Sequence, residues 1–149
     1  MSAPAKTDRQ RWMSVLARAG RAAIERCLAD APALPGHTRL RGPEVGLVMV
    51  RGRAGGGGAA FNLGEMTVTR CTVRAEGVVG HATIAGRDTA KAELAERLDA
   101  ALQTPTHAEA LHRAVIAPLA AREAERRAAL AARAAATRVD FFTLATMRS

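Results

Sequence analysis

Between Glu44 and Asp88 the chain alternates as strands do, and on either side its apolar residues recur at helical spacing. Residues 46–53 read as one strand, with Leu47, Met49, Arg51 and Arg53 on one face and Val48, Val50 and Gly52 on the other. Gly55, Gly56, Gly57 and Gly58 read as a loop, and residues 59–63 as a short second strand. Residues 66–75 give a third, in which Thr69, Cys71 and Val73 oppose Arg70, Thr72 and Arg74. Glu76-Gly77 is a tight turn, and residues 78–85 are a fourth strand, with Gly80, Ala82 and Ile84 opposing Val79, His81 and Thr83. Connections this short pair strands antiparallel, because a parallel return needs a crossover of about a dozen residues or more. The expectation is an α+β fold: an antiparallel β-meander of about four strands, covered by N-terminal and C-terminal helices.

The flanks supply those helices. Thr7 and Gln10 fit a capping box opening a helix whose Trp12, Val15, Leu16 and Ala19 form one stripe. Gly20 breaks it, and a second helix runs to about Ala31, with Ile24, Cys27 and Leu28 on one face. Residues 37–41 suit a short edge strand that Gly42-Pro43 ends. After the sheet, Asp88 caps a helix lined by Leu94, Ala95, Leu98, Ala101 and Leu102, with Glu93 and Arg97 paired on its outside. Pro105 stops that helix, Thr106 and Glu109 form a second capping box, and a break is expected at Ile116-Ala117 before Pro118. Residues 119–137 have strong helix propensity but only Leu119 and Leu130 as large apolar side chains. Such a helix either rests half exposed on its own sheet or lies against a partner.

At 149 residues the expectation is one domain over 1–149, with about 1–6 flexible and about 118–149 a long helix and docking tail. No apolar run is long enough to cross a bilayer and the first residues lack a signal-peptide core, so a cytoplasmic protein without membrane contact is expected. Cys27 and Cys71 form no close metal-type pair and read as buried reduced thiols. The formal net charge of +8 comes almost wholly from arginine, the lysines being Lys6 and Lys91. That excess favours polyanionic partners, but coding bias toward Ala and Arg explains it equally. With no tyrosine and with Trp12, Phe61, Phe141 and Phe142 scattered, there is no base-stacking platform.

Candidate chemistry is thin. The glycine tract lacks the Gly-Lys-Ser/Thr ending of a phosphate loop and leads into a strand, not a helix. Flanked by Arg51 and Arg53, it still suits wrapping an anion or a partner's backbone. His37, His81, His107 and His112 show no metal-ligand spacing, and no nucleophile–base pattern emerges. The residues therefore nominate no catalytic group and no metal site. Arg51, Arg53, Arg70, Arg74 and His81 are the candidate anion or substrate contacts, against the plainer reading of a solvated arginine face.

Taken in order, Arg11-Trp12-Met13-Ser14-Val15-Leu16-Ala17, Glu44-Val45-Gly46-Leu47-Val48, Phe61-Asn62-Leu63-Gly64-Glu65, Val68-Thr69-Arg70, Gly86-Arg87-Asp88 and Arg138-Val139-Asp140-Phe141-Phe142-Thr143 resemble the PhnG family, the G subunits of the bacterial carbon–phosphorus lyase system. The likeness runs nearly end to end, and the glycine run is longer than the family's usual turn. It implies a cytoplasmic complex with the H, I and J subunits. With H, I and the ATP-binding-cassette-like L subunit, the G subunit is needed to form α-D-ribose 1-methylphosphonate 5-triphosphate from ATP and methylphosphonate. The resemblance places the nucleosidase chemistry mainly on subunit I and the iron–sulfur cluster on J, so no cofactor is expected in this chain. The implied contacts are Gly55, Gly56, Gly57, Phe61, Glu65, Arg138, Asp140, Phe141 and Phe142, with subunit I as the scaffolded partner. The competing hypothesis is a free-standing basic module binding nucleic acid or nucleotide.

Overall fold

The computed structural model describes residues 7–53 and 57–139, so the expectations at Gly55, Gly56, Asp140, Phe141 and Phe142 lie outside the described residues. Within them the sheet has three strands, not four. β1 (Thr38–Arg53), β2 (Ala60–Ala75) and β3 (Val78–Ala85) lie in that order, each antiparallel to the next. Two expected interruptions are bridged. Gly42-Pro43 does not end an edge strand; β1 passes through it, with register shifts between Arg39 and Arg41 and between Arg41 and Glu44. Gly64-Glu65 likewise does not separate two strands. They stay paired with Val50 and Met49, and one bulge between Val50 and Arg51 absorbs the irregularity. The turn from β2 to β3 is the expected one, with Glu76 at φ 50° and Gly77 at φ 79°, the pair of positive φ values a two-residue hairpin loop requires.

Alternation holds at the base of the sheet. Thr69, Cys71, Val73 and Ala75 of β2 and Gly80, Ala82 and Ile84 of β3 are buried, while Arg70, Arg74, Val79, His81 and Thr83 are exposed. The buried face is covered by α3 (Thr89–Leu102), which Asp88 caps by accepting from the Lys91 amide at 2.9 Å. Its approach is unusually close at Gly80, where a Cβ would stand 2.6 Å from the Ala100 nitrogen. Around α3 pack α1 (Asp8–Arg18), opened by the expected Thr7–Gln10 capping box, and α2 (Arg21–Ala29). Leu16, Ile24, Cys71, Ile84, Leu98 and Leu111 meet in the resulting core. Cys27 and Cys71 are both buried free thiols.

The C-terminal helices depart from expectation in four places. Pro105 opens α4 (Pro105–Leu111) from Thr104, and the Thr106–Glu109 box does not form; Glu109 instead accepts from Arg113 at 2.6 Å. Before Pro118 there is no break but a π-helical turn over His112–Ile116, in which the Ala117 N–H reaches the His112 carbonyl. Proline cannot donate to the preceding turn, and the bulge accommodates that loss without interrupting the path. α5 (Ala117–Ala136) does not lie on the sheet. It packs by Leu119 near α1 and α2, where Glu123 meets Arg18 at 3.3 Å, and is exposed from Ala124 onward. Glu93, expected to pair with Arg97, reaches Arg39 of β1 at 2.6 Å.

Candidate functional site: a polar sheet face and a projecting arm

Asp99 organises one end of the sheet. On α3 the stripe that carries Leu98 and Leu102 inward carries Asp99 with it, and its side chain is fully buried. A buried carboxylate needs donors on its lone pairs, and Asp99 has them from two other elements. Arg9 of α1 donates to both oxygens, at 3.1 Å from Nε and 2.6 Å from Nη2. Trp12, one turn on, donates from Nε1 at 3.0 Å, and the backbone N–H of His81 donates at 3.0 Å. This carboxylate thus clasps the outer edge of β3 to α1.

The same Arg9 Nη2 lies 2.9 Å from His81 Nδ1. A guanidinium only donates, so Nδ1 accepts and the ring proton sits on Nε2, away from the clasp. His81, Thr83, Thr7, Arg9, Gln10 and Met13 line a cleft of about 320 Å³. Beside it, His81 pairs across the sheet with Thr72, Thr83 with Arg70, and Val79 with Arg74. Directly opposed residues share a face, so Arg70, Arg74 and His81 stand together on the side the helices leave open. Glu44 faces Arg70 in register and is held below the usual carboxylate range chiefly by its hydrogen bond with Arg41. Asp99 was missed by sequence reasoning. Its signal was an acid in the apolar stripe of α3, matched by Arg9 and Trp12 at a three-residue spacing on α1.

Arg51 and Arg53 are not part of this cluster. β3 reaches only to Val68, so residues 47–53 of β1 and 60–67 of β2 run on as a two-stranded arm. Asn62, the partner of Arg51, is eight residues from Arg70, about 25 Å along an extended strand. Leu47, Met49, Phe61, Leu63 and Met66 are exposed on this arm, Leu63 at 60% and Leu47 at 57%, and Val45 is exposed just before it. Leu63 lies against Gly52, where a Cβ would stand 3.1 Å from its Cγ. Glu65 is exposed opposite Met49, Phe61 opposite Gly52, and Gly57 lies at the loop end. Arg138 sits just beyond α5.

A second buried acid lies under the sheet. Glu96 is 1% exposed, its Oε2 has no hydrogen-bond partner, and burial pushes its carboxyl above the ordinary range. Cys71 beside it is pushed up by burial and by the hydrogen bond to Glu96. Among the described residues, no group of three or more His, Cys, Asp or Glu side chains is placed to hold a metal ion. None of the described helices is long and apolar enough to cross a membrane.

An α+β domain with a polar sheet face and an apolar arm is the framework on which relatives can be compared. Residues 7–147 match the family model for phosphonate metabolism protein PhnG. The chain is 46% identical over 141 residues to alpha-D-ribose 1-methylphosphonate 5-triphosphate synthase subunit PhnG of Rhizobium meliloti (strain 1021), covering 92% of this chain and 88% of that one. The chain belongs to the PhnG family.

Proposed function

We propose that this chain is a non-catalytic subunit of α-D-ribose 1-methylphosphonate 5-triphosphate synthase in organic phosphonate catabolism. It acts with the H, I and L subunits to transfer the ribose triphosphate of ATP to methylphosphonate with release of adenine, in a core complex that also holds J. The observation that carries this is the 46% identity, along nearly the whole chain, to a subunit of that synthase. The arm supports it, because a two-stranded ribbon with exposed Leu47, Met49 and Leu63 is at best marginally stable in water and gains from cover. On this reading bond making belongs to the other subunits, with I as the direct partner, and ATP is a substrate of the assembly. Arg70, Arg74 and His81 then offer an anion contact at the edge of the shared site.

Nothing in the comparisons supports the free-standing nucleic-acid module. Co-expression with H, I and J, with a tag on this chain, tests the proposal. Recovery of the tagged chain with stoichiometric partners is expected. A folded chain that emerges alone and leaves the others assembled without it would overturn the reading.

A further inference from the structure

The two ends of β1 treat their outer edge differently. At the base, the strand is blunted by two register shifts, by charged Arg39 and Arg41, and by Pro43, which has no N–H to offer. Beyond Glu44 these devices stop. Residues 45–50, Val-Gly-Leu-Val-Met-Val, stay in unbroken register with β2, carry no charge, and present apolar side chains to both faces. β1 is the outermost strand, so alternate N–H and C=O groups of this window point away from the sheet. A long, uncharged, regular edge is a template for another strand.

A second copy of this chain fits that edge poorly. An antiparallel two-fold pairing places a residue opposite itself and counts outward from there. Centred on Leu47, Val48 or Met49, it sets Arg51 against the copy's Pro43, Val45 or Leu47, and in none of these against an acid. Each copy also brings a formal charge of +8.

We propose that residues 45–50 receive, by β-augmentation, a strand of a different protein chain: apolar along its length, with an acidic side chain opposite Arg51. Backbone hydrogen bonds along the edge supply affinity, the apolar faces are buried by the visiting strand and its flanks, and the acid sets the register. This rests on the reading of the chain as a synthase subunit and says how it joins.

Amide exchange read by mass spectrometry tests it, on the full-length chain alone and co-purified with the remaining subunits. At least tenfold slower exchange within 45–50 is expected in the complex. Leu47→Pro, whose N–H faces away from β2 because its partner Thr67 turns its carbonyl to Gly86, and Arg51→Glu should each lower partner recovery at least fivefold without changing the melting temperature of the isolated chain. A complex that assembles while 45–50 exchange as in the free chain overturns the strand pairing and leaves the subunit reading standing. Protection of the outward amides of Val45, Leu47 and Met49 already present in the isolated chain, as monomer or dimer, overturns it in favour of the chain's own tail or a second copy. A folded chain that forms no complex overturns both.

Discussion

Asp99 on the central helix accepts 2.6 Å and 3.1 Å hydrogen bonds from Arg9 on the first helix, ninety residues earlier in the chain. Because Asp99 also takes the Trp12 indole and the His81 amide, one side chain joins three elements. Asp99→Ala strands these donors in a site shaped for an anion. It should cost about 3 kcal/mol or more, the range for removing one partner of a buried charge network. Arg9→Leu should cost less, because Arg9 is partly exposed and Asp99 retains its other donors. Urea unfolding of both variants gives the comparison, and equal losses would contradict the hierarchy.

Gly80 faces Ala100 across the sheet–helix seam so closely that a methyl group would stand 2.6 Å from the Ala100 nitrogen and 2.7 Å from its Cβ, and against the Glu96 carbonyl. Backbone cannot yield as a flexible side chain does, so Gly80→Ala must lift α3 off β3. A loss of about 3 kcal/mol or more is expected, as for severe overpacking. Gly36→Ala, with open space around its Cβ, is the control and should stay within about 0.5 kcal/mol of the parent.

Glu96 sets a pH dependence. Burial raises its folded pKa above the unfolded value, so between the two the folded state holds a proton that the unfolded state has lost. Its contribution is fully present below the unfolded pKa and is lost as pH rises through the folded one. Glu96→Gln removes this titration. Its stability relative to the parent should therefore improve steadily from about pH 4 upward, checked by chemical denaturation across that range. A flat difference would contradict the burial of an ionisable Glu96.

If Arg70, Arg74 and His81 contact an anionic substrate in the assembled synthase, replacing each with alanine should raise KM for the triphosphate-bearing substrate by about tenfold, the loss of one charge-assisted hydrogen bond. The complex should still assemble. Unchanged turnover and KM for a variant would remove that residue from the site.

Much of this architecture was legible because local chemistry and tertiary packing agree. The Thr7 box, the Asp88 cap and the Glu76-Gly77 turn each satisfy backbone needs within four residues, and all three form. The misreadings occurred where tertiary pairing overrode local punctuation. Gly64-Glu65 and Gly42-Pro43 look like strand ends, yet the partner strand carries β1 and β2 past both through register shifts. Pro118 looks like a helix start, and a π turn keeps the path continuous instead. Arg70, Arg74 and His81 were placed on one face correctly, because alternation suffices there. Arg51 and Arg53 were grouped with them because the pattern records faces but not how far along a ribbon each residue lies. For Asp99 the acid in the apolar stripe of α3 marks the position, but only the fold reveals that Arg9, Trp12 and the His81 amide converge on it.

Reconstitution of the synthase tests the central claim most directly. ATP and methylphosphonate are supplied to the purified remaining subunits, with and without this chain, and product and free adenine are followed by chromatography. The account expects turnover only when this chain is present, and its loss when the arm carries Leu47→Lys with Met49→Lys. Undiminished turnover in its absence would contradict it.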